Sequence, residues 1–434
     1  MIKELIVIVL SAGMLCLYGG PSCMALEQLS DDDMARVEGQ SGITILVEGM
    51  HIRNQTEQVR FIDPDTQNSI TLNGFSLAFT LSSLTLMDIK TVTDPASPYY
   101  GKTYLSFVNE AFEYDDRESM EQGMDLAVDQ ILVNDQEIGS LSIEGMKIPG
   151  FFLNTGSQLN GGLAFDFGME TTIEQICYTY NSQGDSLSFS GMMLSETITG
   201  DPANPVTWES NGEFRVGFYE AGNPAAIDIL PDGIGLSLPM QGDIGMENIG
   251  IGGNDFGPML IDNLNMPVCN ITIPNNDETF EYLVDENTVT INLGIAVETY
   301  ATVDSIKMGY YDNGNGYGWD QDWENVSIGS SSQEPLVVTG ITIQFAFENM
   351  EDNDNRQLVT FSMGSYDVNG TITADMNSFT GTISPDSASV TRVNLGTTTL
   401  EFNNDALFLS IDRTAGITFQ RNLSGTSLDL SAYR

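Results

Sequence analysis

The stretch that decides the fold is Ile70-Thr71-Leu72-Asn73-Gly74-Phe75-Ser76-Leu77, in which apolar residues alternate with others on both sides of one glycine. Alternation with a period of two is typical of a β-strand with one buried face. The glycine shifts this alternation by one residue, as a β-bulge or a bend in a strand does. The stretch therefore predicts a bent strand.

The same pattern occurs three more times, in residues 141–148 around Gly145, 187–194 around Gly191 and 336–343 around Gly340. Similar blocks also follow Gly74 and Gly191 in the same order, beginning with residues 91–98 and 197–205. No long helical pattern follows Gly42. The sequence predicts an all-β protein of two or three tandem modules, sandwich-like or elongated sheets, after a short N-terminal helix.

The predicted divisions of the chain follow these repeats. Residues 1–25 form a signal peptide, residues 26–41 a short acidic helix and linker, and residues 42–160 the first β module. Residues 161–275 form the second β module and residues 276–434 the third.

The first 25 residues have the organisation of a secretory signal. Lys3 provides a basic start, residues 5–17 are an apolar run too short to span a bilayer, and Cys23-Met24-Ala25 places small residues around a cleavage site. No later stretch is long and apolar enough to be a transmembrane helix. We therefore expect export to the periplasm, the outer surface or an extracellular filament.

The charge of the chain limits its partners. Only 15 Lys and Arg residues stand against 61 Asp and Glu residues, which gives a net charge of −46. Binding to nucleic acid or to anionic lipids needs clustered cations, so both are disfavoured. A hydrophobic content of 41% is enough for a packed core. The acidic surface favours solubility, divalent cations and basic partners.

The residues that catalysis usually needs are scarce. His51 is the only histidine, and the chain has neither a Gly-x-Ser-x-Gly elbow nor a phosphate-binding loop. We therefore predict a protein that is not an enzyme. After removal of the signal, Cys177 and Cys269 remain, and in an oxidising compartment they would form a disulfide worth ~4–5 kcal/mol if their side chains meet.

One glycine-rich stretch concentrates the oxygen ligands that calcium prefers. Its candidate ligands are Asp312, Asn313, Asn315, Asp320, Asp322 and Glu324. The same composition is expected of a polar hairpin loop, so both interpretations stay open.

Residues 29–45 combine an acidic start with a glycine-rich entry into a strand. They read Leu29-Ser30-Asp31-Asp32-Asp33-Met34, then Val37, then Gly39-Gln40-Ser41-Gly42-Ile43-Thr44-Ile45. This segment resembles the mature N-terminus of FilA-like pilus proteins of Gram-negative bacteria, and residues 61–74 are also similar to that family. The resemblance implies a β-rich protein with a surface or filament-associated role.

Together these features predict a structural or adhesive component of a surface filament. Assembly would add a strand to an open sheet edge, with Ile43, Ile45 and Val47 in the exchanged strand. The alternative is a secreted calcium-dependent binding module that recognises a glycan or a surface partner.

Overall fold

The structure is a computed structural model that describes most of the chain after residue 44. The described residues are 45–62, 69–109, 123–133, 135–157, 162–180, 185–200, 204–219, 221–230, 233–252, 254–274, 280–284, 287–312, 316–348, 357–379, 381–383, 388–390, 396–413, 416–423 and 426–431. The predicted signal peptide and the predicted helix within residues 26–41 lie outside them.

The described chain is all-β, as the alternating pattern predicts. Its only regular element other than a strand is a single 3-10 turn at Pro205–Thr207. Among these residues no helix has the length and apolar character needed to cross a membrane.

Five strands lie in the first predicted module. They are β1 (Ile45–Ile62), β2 (Ser69–Thr91), β3 (Thr103–Asn109), β4 (Gly123–Val133) and β5 (Gln136–Ser157).

Eleven strands lie in the second. They are β6 (Leu163–Tyr180), β7 (Asp185–Ser195), β8 (Thr197–Thr199), β9 (Glu209–Asn211), β10 (Phe214–Val216), β11 (Ala225–Leu230), β12 (Gly233–Ser237), β13 (Met240–Met246), β14 (Asn248–Ile251), β15 (Asn254–Asp255) and β16 (Met259–Pro274).

Ten strands lie in the third. They are β17 (Phe280–Val284), β18 (Thr288–Asp312), β19 (Gly316–Ile328), β20 (Leu336–Glu348), β21 (Gln357–Phe379), β22 (Gly381–Ile383), β23 (Ala388–Val390), β24 (Gly396–Asp412), β25 (Gly416–Leu423) and β26 (Thr426–Ser431).

One antiparallel sheet contains 22 of these strands, and the pairs β8–β9 and β22–β23 stand apart from it. The main sheet begins with β1, which pairs with β2, and includes β26, which pairs with β25. Long strands commonly pair with two shorter strands placed end to end. For example, β2 pairs with β4 along its first half and with β3 along its second half. In the same way, β18 pairs with β20 and then with β19.

The four glycines of the repeated pattern lie within strands and share a left-handed backbone conformation. All four have positive φ angles, 63° at Gly74, 62° at Gly145, 58° at Gly191 and 71° at Gly340. At Gly145 the register against β4 also shifts, because Met124 faces Met146 while Leu126 faces Ile143. Glycine adopts this left-handed conformation without the strain that a Cβ atom adds. The register also shifts opposite Gly340, between Leu293 and Ala296, whereas the register is the same on both sides of Gly74 and Gly191. The predicted shift is therefore present at Gly145 and Gly340 and absent at the other two glycines.

The sheet does not stop at the predicted module boundaries. The boundary at 160/161 falls between β5 and β6, which pair along almost their whole length. The boundary at 275/276 falls between β16 and β17, and both of these strands pair with β18. Independent folding of the three modules stays a prediction.

The hydrophobic cores also cross these boundaries. The largest joins β7 and β14 to β18, β20, β21 and β24, with Ile251 and Leu358 completely buried. A smaller core packs Tyr99 and Tyr104 from the first module against Tyr219 from the second, with ring centroids 4.8 Å and 5.3 Å from that of Tyr219. The described part of the chain is therefore packed together across the module boundaries.

Candidate assembly surface

β1 is the first strand of the sheet and lies at its edge. It pairs with β2 from Ile45 opposite Met87 to Ile62 opposite Ser69, with one irregularity between Glu48 and Met50. Within the described residues β2 is its only strand partner. The other edge of β1 therefore presents backbone N–H and C=O groups that no described strand pairs.

The residues predicted to act in strand exchange lie at the start of this strand. Ile43 is outside the described residues. Ile45 and Val47 pair with Met87 and Thr85 of β2. A swap of this segment into a neighbouring molecule would break these pairs, whereas addition of a foreign strand would use the opposite edge and leave them intact.

The middle of β1 is exposed and polar. Its exposed residues lie on both faces of the strand. They are Arg53, Asn54, Gln55, Glu57 and Gln58. Nearer its end, Arg60 forms an ion pair with Asp135, with 3.1 Å between the guanidinium nitrogen and the carboxylate oxygen. β1 thus has little apolar surface along its middle, and another chain would recognise it mainly through backbone groups and charge.

The predicted calcium ligands lie on and around the β18–β19 hairpin. Asp312 ends β18 opposite Gly316, and Asn313 and Asn315 lie outside the described residues. On β19, Asp320 is the extra residue of a bulge, because Gln321 faces Met308 and Trp319 faces Gly309.

The remaining candidate ligands follow on β19. Asp322 faces Lys307, and Glu324 faces Ser305 on one side and Asp375 on the other. No three His, Cys, Asp or Glu side chains come together as a possible metal site in the part of the chain that the structure describes. Calcium binding at this hairpin stays a prediction.

The predicted disulfide is not formed in this structure, in which Cys177 and Cys269 are both free thiols. Cys177 lies on β6 opposite Ser142 and Ser188, while Cys269 is buried on β16 opposite Thr299. The two strands do not pair with each other. Burial raises the pKa of the Cys269 thiol, so that this residue is neutral and poorly nucleophilic at physiological pH.

A feature that sequence analysis does not reveal is a pair of rows of carboxylates, each beside residues with a left-handed backbone conformation. In the first row, the amide N–H of Gly145 donates to Asp125 at 2.9 Å, and a Cβ atom on Gly145 would collide with Glu174. The strand register also places Glu174 opposite Gly191, and a Cβ atom on Gly191 would collide with Glu247. Carboxylates thus cover Gly74, Gly145 and Gly191, through Asp129, Glu174 and Glu247 respectively, whereas a Cβ atom on Gly340 would have no atom within 4 Å.

A second row uses asparagine in place of glycine. Asn263, with φ 53°, donates its amide N–H to Asp243 at 2.6 Å and its side-chain amide to Asp304 at 2.8 Å. Asn325, with φ 50°, donates its side-chain amide to Asp375 at 3.0 Å. We call the two rows together the carboxylate ladder. It explains part of the acidic composition as local structure.

Asp243 is the most buried member of the carboxylate ladder, with 2% of its surface exposed. Besides the N–H of Asn263, it accepts the N–H of Ile198 at 2.7 Å. Burial raises the pKa of Asp243, and the nearby charges of Asp262 and Asp304 act in the same direction, against the lowering effect of the two N–H donors. Its contacts are those of a structural carboxylate that fastens β8 to the sheet.

Comparison of the chain with protein-family models, with curated proteins and with solved structures finds no match.

Proposed function

We propose that this protein is a non-catalytic structural or adhesive component of a surface filament, assembled by adding strands to the edge of its sheet. The observation that carries the proposal is the position of β1. It is an 18-residue strand at the end of a continuous antiparallel sheet, with one strand partner in the described chain. In a filament the same contact repeats from one molecule to the next, and an open strand edge can provide that contact without any catalytic residue.

The outer edge of β1 is long enough to hold another chain. In an antiparallel sheet alternate residues point their backbone groups to opposite sides, so about nine residues of β1 point theirs outward. Each backbone hydrogen bond adds about 0.5–1.5 kcal/mol net. An edge of this length is the template that strand addition uses.

The distribution of charge supports contact at the ends of the sheet. Residues 45–109, which hold β1 to β3, carry four basic and six acidic side chains, a net charge of −2. Residues 396–434, which hold β24 to β26, carry three basic and four acidic side chains, a net charge of −1. Residues 110–395 between them carry six basic and 45 acidic side chains, a net charge of −39. Repulsion is therefore strongest between the central parts of two molecules and weakest between their end strands.

Electron microscopy of the purified chain from residue 26 onward tests this proposal. We expect filaments from this protein and from a control variant without residues 26–40, which keeps β1 whole. A variant without residues 26–48 loses Ile43, Ile45 and Val47 and should form none, while circular dichroism still reports a folded β protein. The absence of filaments from the whole mature chain, or unchanged filaments from the shorter variant, would contradict the proposal.

A further inference from the structure

The centre of β1 carries two opposite charges at a spacing that complements itself. Arg53 and Glu57 are both exposed and lie on the same face of the strand, with Gln55 midway between them. Among the described residues neither of them forms an ion pair, whereas Arg60 further along is paired with Asp135. Two opposite charges on an open edge, with no ion pair to another described residue, suit a partner that carries the reverse arrangement.

A second copy of β1 carries that reverse arrangement when it runs antiparallel. If Gln55 faces Gln55 of a second copy, then Arg53 faces Glu57 of that copy, and Glu57 faces its Arg53. The alignment continues without interruption from Met50 to Arg60, because the irregularity of β1 lies before Met50. It also places each residue opposite one of the same parity, so that outward-pointing backbone groups meet outward-pointing groups.

From this geometry we propose that two copies of the chain pair through their β1 edges, antiparallel, about a two-fold axis at Gln55. The inference rests on the sheet-edge assembly proposed above and names the partner as a second copy of this chain. Such a contact is isologous, since the same surface serves both molecules. It joins two sheets into one and brings together end strands, where the net charge of the chain is small.

A filament built from such pairs needs a second contact on each molecule. The other end of the sheet offers one, because β26 pairs only with β25 within the described residues. The β1 pair and the filament are therefore separable. The pair can exist without further growth, and a filament can grow through contacts other than a β1 pair.

The alternative role of Arg53 and Glu57 is protective, because charges on an edge strand also prevent unwanted pairing. The two roles predict opposite results. A protective charge keeps the molecule monomeric, whereas a complementary pair favours the dimer and loses that effect when one sign is reversed.

Sedimentation of the mature chain over a concentration series measures the dimer directly. Each single charge reversal, Arg53→Glu or Glu57→Arg, replaces two attractive pairs by two repulsive ones. We expect each to raise the dimer Kd on the order of tenfold or more. The double variant Arg53→Glu/Glu57→Arg restores both pairs and should return the Kd to within about threefold of the original. The control Lys102→Glu reverses an exposed charge outside β1 and should leave the Kd unchanged.

A second measurement tests the register. With a short bifunctional thiol reagent, Gln55→Cys should be cross-linked between two copies, and Gln58→Cys, which faces Ile52 in this alignment, should react far less. The unmodified chain, which has only Cys177 and Cys269 in its described part, is the blank. Unchanged melting temperatures show that the variants are folded, as expected for substitutions at exposed positions.

A monomer at all concentrations, or a double variant as weak as the single ones, overturns the β1 pair. A dimer Kd that stays unchanged in both single variants, while filaments still form, also overturns it and leaves the proposed function standing. A dimer Kd that rises on charge reversal, in a protein that never forms filaments, would support the β1 pair and contradict the proposed function.

Discussion

Gly191 and Gly340 share a left-handed backbone but differ in their surroundings. A Cβ atom on Gly191 would overlap Cγ and Cδ of Glu247, whereas a Cβ atom on Gly340 would have no atom within 4 Å. Gly340→Ala should therefore cost only the backbone strain, about 1–2 kcal/mol. Gly191→Ala should cost ~1–3 kcal/mol more because of the added overlap. Chemical denaturation of both variants measures the difference, and equal losses would show that Glu247 moves aside freely.

Asp243 provides a second test at the scale of one residue. In Asp243→Asn the buried side chain keeps one acceptor for the N–H groups of Ile198 and Asn263, so one partly buried donor loses its partner. We expect a loss of about 1–3 kcal/mol in the free energy of unfolding. The matched control is Asp304→Asn on the exposed side of Asn263, which should cost less than ~1 kcal/mol. If the two variants lose the same stability, the burial of Asp243 has no energetic weight.

Among the elements, the β18–β19 hairpin is where the calcium hypothesis can be decided. The calcium hypothesis predicts that calcium releases or absorbs heat on binding to the mature chain. It also predicts that Asp320→Asn/Asp322→Asn abolishes this heat. Removing two exposed carboxylates elsewhere in the chain, with Asp94→Asn/Asp135→Asn, should leave this heat unchanged. Isothermal titration calorimetry is the measurement. A flat titration of the unmodified protein would leave the hairpin as a polar loop and remove the calcium-dependent alternative.

The elements also show which information is local in the sequence. The special role of Gly74, Gly145, Gly191 and Gly340 could be predicted, because a glycine that shifts an alternating pattern is visible within eight residues. The equivalent left-handed positions at Asn263 and Asn325 could not, since asparagine is also common in ordinary turns and no pattern marks these two. Their role depends on carboxylates 20 and 50 residues away along the chain.

The pairing of strands that are distant in the sequence is the other information that local sequence patterns do not provide. The position of β1 at an edge depends on which strands do not pair with it, and no local pattern records that. The same reason applies to Cys177 and Cys269, because their positions in the sequence do not show that they lie on strands that do not pair with each other. The strand conformation of a segment can be predicted from its local sequence pattern, whereas the strands that pair with it cannot.

For the whole molecule, acidity should set the dependence of stability on pH. Burial raises the pKa values of Glu213, Asp243 and Glu247 above their ordinary values. Between the ordinary and the raised pKa, the folded protein binds more protons at these groups than the unfolded chain does. Their contribution to stability is therefore full below the ordinary pKa and is lost as pH rises through the raised one. The net charge of −46 acts in the same direction, because protonation relieves repulsion in the compact state.

One group opposes this trend at lower pH. Hydrogen bonds from Thr397 and Asn325 lower the pKa of Asp375, so its contribution is present above the ordinary value and is lost as pH falls through the lowered one. We therefore expect the melting temperature to be higher near about pH 5 than near about pH 7.5, with a decline at more acidic pH. Added salt of about 0.3 M should reduce the part of this difference in melting temperature that is due to charge repulsion. It should leave the part that is due to the buried carboxylates. In Asp243→Asn the remaining difference should shrink, and thermal melts that show greater stability at about pH 7.5 in both salts would contradict this account.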